Sequence, residues 1–207
     1  VSTKTNAASS ACTSHKITTK AITVTAGSSS RAWNGSALTN SSCSITSGSL
    51  GTGDSGPTCT MTSGSTITVA STTTGQSASV NNTINTVVIK KGTVDVTSSY
   101  SITKATGTLT ISYATPTISL TAKETTYTGS AIAANTATAS PNSSPTITYV
   151  YYTDSSCSTQ TTSANSGAAS NGAAPVYAGQ YYVKANAAAV STKTNAASSA
   201  CTSHKIT

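Results

Sequence analysis

The residues of this chain best suited to covalent chemistry are its cysteines, Cys12, Cys43, Cys59, Cys157 and Cys201. None stands in a Cys-X-X-Cys pair, so a structural zinc site, which takes its ligands from such close pairs, is not expected. Dispersed cysteines in a Ser- and Thr-rich chain point to disulfides and to an oxidising, extracellular setting. Cys12 and Cys201 hold the same place in a duplicated stretch, which leaves four distinct cysteines and makes the odd count a matter of framing. Pairing Cys43 with Cys59 and Cys157 with Cys201 closes loops of roughly 15 and 45 residues, each worth about 3–4 kcal/mol if loop entropy alone is counted.

The remaining reactive groups are sparse. His15 and His204 are one histidine met twice, and the acids are Asp54, Asp95, Glu124 and Asp154. No Gly-X-Ser-X-Gly elbow accompanies the many serines. The histidine is therefore expected on the surface near a domain joint, and the chain is expected not to be an enzyme and to need no cofactor. So few carboxylates cannot build the cage that calcium requires. An intramolecular Lys–Asn isopeptide bond would draw on Lys20, Lys104 or Lys123 with Asp95 or Glu124, but the cysteines already supply cross-links. Tyr152 and Tyr182, on the outward phase of their segments, are placed to stack on sugars. Asn-X-Ser/Thr triplets begin at Asn34, Asn40, Asn81 and Asn142, a pattern that arises freely in such a composition.

Composition bounds the elements that must position these groups. Charged residues make up 7% of the chain, against about a quarter in ordinary soluble proteins. The solubilising surface must then consist of hydroxyls and amides. With no Phe and one Trp, the core must be built from Val, Ile, Leu, Ala and Tyr. The formal charge of +7 includes Lys193 and Lys205, which repeat Lys4 and Lys16, leaving +5 for one period. With a single Arg31 and only one adjacent basic pair, Lys90-Lys91, a nucleic-acid partner is not expected. No apolar run approaches the ~20 residues that span a bilayer.

Apolar residues alternate over short segments: 21–26, 65–70, 85–90, 93–97, 107–112, 117–122, 146–152 and 181–185. This period of two predicts half-buried strands. Turn formers lie between them, at Asn34-Gly35, 51–57, Lys91-Gly92, Ser140-Pro141-Asn142 and Asn171-Gly172. No amphipathic helix is expected, and the class is all-β, built as sandwiches.

Two repeats organise the chain. VSTKTNAASSACTSHKIT occupies both 1–18 and 190–207, which sets a period of 189 residues (190 − 1). Inside it, Trp33-Asn-Gly-Ser-Ala-Leu38 matches Tyr127-Thr-Gly-Ser-Ala-Ile132 at an offset of 94 (127 − 33). The expected domains are 19–113 and 114–207, with 1–18 the last strand of a preceding second domain. Cys12 would then bond the counterpart of Cys157 in that preceding unit. The joints are expected to be short, with Pro116 holding Thr115 extended.

The stretches KAITVTA, WNGSAL and VDVTSSYSITKATGTLTI resemble the MBG-type immunoglobulin-like repeats of large bacterial surface proteins. The second half, with TYTGSAIAA, ITYVYYTDSSC and PVYAGQYYVKANAAA, is similar to companion repeats of Gram-positive adhesins. The resemblance implies tandem immunoglobulin-like β-sandwiches forming an elongated rod, serving as the stalk or adhesin repeat of a cell-surface fibre. Its partners would be identical repeats, head to tail. Two other expectations stay open: a module gripping glycans or a protein on another cell surface, and a pilus-like subunit assembled by strand addition.

Overall fold

A computed structural model describes residues 15–73 and 75–207. Among the described residues sixteen strands follow one another: β1 Lys20–Ala26, β2 Ser29–Ala32, β3 Cys43–Ser47, β4 Asp54–Met61, β5 Ala78–Asn82, β6 Ile84–Lys91, β7 Val94–Asp95, β8 Tyr100–Ala105 and β9 Gly107–Ser112, then β10 Thr117–Ser119, β11 Lys123–Thr125, β12 Thr138–Ser140, β13 Ile147–Tyr152, β14 Gly179–Ala187, β15 Ala197–Ser198 and β16 Thr202–Ile206. The only helical pieces among the described residues are a 3₁₀ turn at Thr97–Ser99 and one α-turn, α1, at Ser163–Ser166. The protein is all-β.

Strand pairing separates the chain into halves. Strands β1 to β9 form three sheets, β3-β1-β8, β2-β9-β5 and β4-β6-β7. Strands β10 to β16 form β10-β12 and the larger sheet β11-β16-β14-β13, with β15 on β14. Alternation decides which residues go inside. Ile22, Val24 and Ala26 of β1 meet Ile84, Val87 and Ile89 of β6 in one core. Leu109 and Ile111 of β9 meet Trp33, Leu38, Ile67 and Ala70 in a second. Each fully buried aliphatic side chain contributes about 1.5–3 kcal/mol. The outward phase is hydroxylic, and these hydroxyls pair across strands: Thr25 with Thr46 at 2.7 Å, Thr60 with Thr86 at 2.6 Å, Ser79 with Thr110 at 2.8 Å. Such pairs stabilise a sheet where charges are scarce.

Several sequence expectations need correction. Residues 65–70 form no strand: Ile67 makes an isolated bridge to Leu38, so Ile67 is buried while Val69 is exposed. Residues 51–57 are a turn only in their first part, since β4 starts at Asp54 and runs through Pro57, with the register shifted between Ser55 and Thr58. Segment 93–97 keeps only the two-residue β7, Val94 is exposed, and the chain enters the 3₁₀ turn. Segment 117–122 stops pairing at Ser119.

The duplicated strip has a clear place at its second occurrence. β16 lies between β11, to which it runs parallel, and β14, antiparallel, with His204 opposite Lys123 and Tyr181, and Ile206 opposite Thr125 and Gly179. Ile206 is 2% exposed, whereas Ile17, the same residue in the first occurrence, is 96% exposed.

Candidate functional site: the joint between the halves

The cysteine pairs come together as two cross-links. Cys43 and Cys59 tie β3 to β4, with Cα atoms 6.2 Å apart, and Cys157 and Cys201 tie the loop after β13 to the approach to β16, at 5.9 Å. Cys12 lies outside the described residues.

The histidine is not where the sequence reading put it. His15 is exposed, but His204 is fully buried, because alternation along β16 turns it inward together with Ile206. Its ring stands edge-on to Tyr151, 5.3 Å between centroids. Neither ring nitrogen finds a hydrogen bond of good geometry. Burial, and then the Lys123 ammonium, push its pKa below the ordinary imidazole value, against a weaker opposing pull from the Ile132 backbone. No carboxylate orients it, so it has no triad.

The acids are each engaged locally. Asp54 accepts the Tyr100 phenol proton at 2.5 Å, and that bond raises the Tyr100 pKa. Asp95 accepts from Thr97 N–H, and the nearby Thr97 hydroxyl, followed by that amide, lowers its pKa. Asp154 is held well below the usual carboxylate range by the Ser156 hydroxyl and by the amides and hydroxyl of the turn it closes at Ser158 and Thr159. Glu124 meets Lys205 at 2.7 Å on the surface. Among the described residues no three of His, Cys, Asp and Glu stand together as a metal cluster. The isopeptide candidates are dispersed: Lys20 donates to Ser49 and Leu50, Lys104 to the Asn85 carbonyl and Lys123 to the Ala133 carbonyl. Tyr152 and Tyr182 are opposite one another across β13 and β14, half-buried on the outer phase. Asn34, Asn40 and Asn142 use their side chains to close their own turns.

The most organised polar arrangement is the contact between the halves, and it uses the start of the duplicated strip, residues 190–195. This loop leaves β14 and reaches back to the first half. Tyr113, 7% exposed, donates its phenol proton to the Ser71 carbonyl at 3.1 Å and accepts Thr192 N–H at 2.9 Å. The Thr192 carbonyl accepts Ala70 N–H at 2.9 Å. Ala114 N–H donates to the Lys193 carbonyl, and the Ala114 carbonyl accepts Asn195 N–H. Lys193 Nζ stands 5.7 Å from the Trp33 ring centroid, a cation–π contact worth about 0.5–1 kcal/mol at a surface. The Thr194 hydroxyl, fully buried, meets Ser143 at 2.6 Å. Thr192 holds a left-handed backbone, φ 63°, a conformation a β-branched residue adopts only when its surroundings enforce it.

The inner repeat is structural as well as sequential. Trp33 N–H donates to the carbonyl of Ser112, which ends β9, and Tyr127 N–H donates to that of Thr207, just past β16. Leu38 N–H donates to Ile67 and Ile132 N–H to Pro175. Gly35 and Gly129 both take positive φ, 88° and 80°, which glycine adopts without a Cβ penalty. In each turn a side-chain oxygen, of Asn34 or Thr128, accepts the N–H two residues on. The partner strands are parallel in both cases, β2 with β9 and β11 with β16. What differs is the cover: Trp33 is 7% exposed and Tyr127 49%.

No protein-family model, curated protein or solved structure matches this chain.

Proposed function

We propose that the chain is a structural repeat unit, of 189-residue period, in an extracellular surface fibre, built from two related β-sandwich domains, 19–113 and 114–207, joined stiffly end to end. The observation that carries this reading is the contrast between two copies of one isoleucine. The strip at 190–207 completes a sheet and buries Ile206, while Ile17, its counterpart in the first copy, is 96% exposed and lies in no strand among the described residues. In the repeat reading, a second sheet of the β11–β14 kind, belonging to a preceding unit, would bury Ile17 as this one buries Ile206. Near-identity between copies suits a spacer, which needs length rather than diversity.

Other observations support the same role. Two disulfides persist in oxidising compartments and stiffen domains poor in large aromatics. Hydroxyl ladders and few charges give an inert surface. The resemblance to MBG-type immunoglobulin-like repeats of bacterial surface proteins accords with a stalk. Small-angle scattering from several units in tandem is expected to give a rod; a coil-like profile would overturn the reading.

Strand addition between separate chains is favoured by the same exposed Ile17, and it would place the strip in the same groove of a neighbour. A glycan-binding role rests on Tyr152 and Tyr182 alone, and saturable binding on a glycan array would reverse the order.

A further inference from the structure

We infer that Tyr127 and Tyr177 form a docking face for a second copy of this chain, which covers them with its own Thr19, Ser98 and Ser99. The inference rests on the repeat-unit reading and adds to it the surface that joins one unit to the next.

The two tyrosines flank the end of the duplicated strip. Tyr127 lies two residues past Thr125, the partner of Ile206 in β11, and Tyr177 two residues before Gly179, the partner of Ile206 in β14. Both are 49% exposed. Large half-exposed aromatics on either side of an exiting strand are unusual in a chain whose other aromatics are mostly covered.

The contact inside the chain supplies the template. Ala114 bridges Thr194 in parallel, and 94 residues earlier Lys20 pairs with Tyr100 in parallel at the start of β1 and β8. Shifting by the same 94 residues, Thr192 and Lys193 correspond to Ser98 and Ser99. Thr192 and Lys193 are the residues that reach back to Tyr113 and Trp33. Ser98 and Ser99 already stand beside Thr19, where the chain enters the first half, and line a shallow groove with Ile17 and Thr18, which in a single polypeptide are Ile206 and Thr207 of the unit before. In a following copy this groove faces Tyr127 as the Thr192–Lys193 loop faces Trp33. The facing residues are uncharged on both sides, tyrosine phenols against serine and threonine hydroxyls, so the contact needs no buried ion pair.

The test is a tandem of two units whose trailing copy carries Tyr127→Phe and Tyr177→Phe, so that only the leading copy reports. Nitration with tetranitromethane, mapped by mass spectrometry, is compared with the single chain, with Tyr152 as internal control. Several-fold lower nitration of Tyr127 and Tyr177 in the tandem, with Tyr152 unchanged, is the expected result. Nitration equal to that of the single chain overturns the docking face. The mass of the native material on a reducing, denaturing gel separates this from the parent reading. Protected tyrosines with a single native band near one unit keep the contact and move it between separate chains. Reactive tyrosines with a high-mass native ladder remove the contact and leave the array.

Discussion

Trp33 and Tyr127 occupy the same station in the two halves, each donating its backbone N–H to the residue that closes a neighbouring parallel strand, yet one is covered and the other is not. Trp33 packs into the core of Leu38, Ile67, Leu109 and Ile111, and Lys193, from a loop whose sequence recurs at residues 1–6, stands over its ring. The strip thus has two tasks, completing a sheet with β16 and clasping the half before it with residues 192–195.

The clasp turns on the Tyr113 hydroxyl. Tyr113→Phe removes the acceptor of Thr192 N–H and the donor to Ser71. Stranding those backbone groups is expected to cost about 1–3 kcal/mol, measured as a lower urea midpoint with an unchanged slope. An unchanged midpoint would mean that water replaces the hydroxyl and that the joint is loose.

One substitution at the two copies of the same isoleucine should have opposite consequences. Ile206→Ala empties a site that is 2% exposed and is expected to cost roughly 2–5 kcal/mol. Ile17→Ala alters a side chain that is 96% exposed and should leave the melting temperature of the single unit unmoved. Equal losses would show that the first strip is also housed within the chain.

His204 gives the protein an acid-sensitive strand. Its folded pKa lies below the ordinary value of 6.5, so as the pH falls the unfolded chain takes up the proton first. The stability present above about pH 6.5 is therefore lost progressively below it. Asp95 and Asp154, whose folded values are also depressed, lose their contributions only at lower pH, in the carboxylate range. Thermal melts should thus decline between pH 7 and 5, and His204→Phe should flatten that interval while leaving the steeper loss below pH 4. A wild-type curve flat from pH 7 to 5 would contradict the buried, neutral imidazole.

Removing the disulfides should act unequally. They span 16 and 44 positions, and loop entropy assigns about 3 and about 4 kcal/mol respectively. Cys157→Ala with Cys201→Ala should therefore lower stability more than Cys43→Ala with Cys59→Ala, and hydrogen exchange should place the extra loss in β16. The reverse order would mean that the first half depends on its shorter staple for packing.

The strands legible from sequence were those whose alternation used aliphatic residues, such as Ile22, Val24 and Ala26 in β1 or Leu109 and Ile111 in β9. Those missed draw their pairing from Ser, Thr and Asn: β5 offers one valine, and β4 passes through Gly56-Pro57, which reads as a turn. Ile67 shows the opposite error, an alternating segment whose neighbours never form a ladder. His204 was misplaced because its type suggests a surface, while its spacing of two from Ile206 gave the better signal. The likeness of the turns at 33–38 and 127–132 was visible in the residues themselves, Gly-Ser-Ala recurring at the same offset. The clasp was not, because nothing in VSTKTN announces that its backbone will meet Tyr113, a contact 79 residues distant.

Whether identical units follow one another in a single polypeptide is decided by the mass of the native protein on a denaturing, reducing gel. A repeat array should run at a very high mass, or as a ladder of partial breakdown with steps of one period. A single band near 20.4 kDa, the mass of this chain, would contradict it.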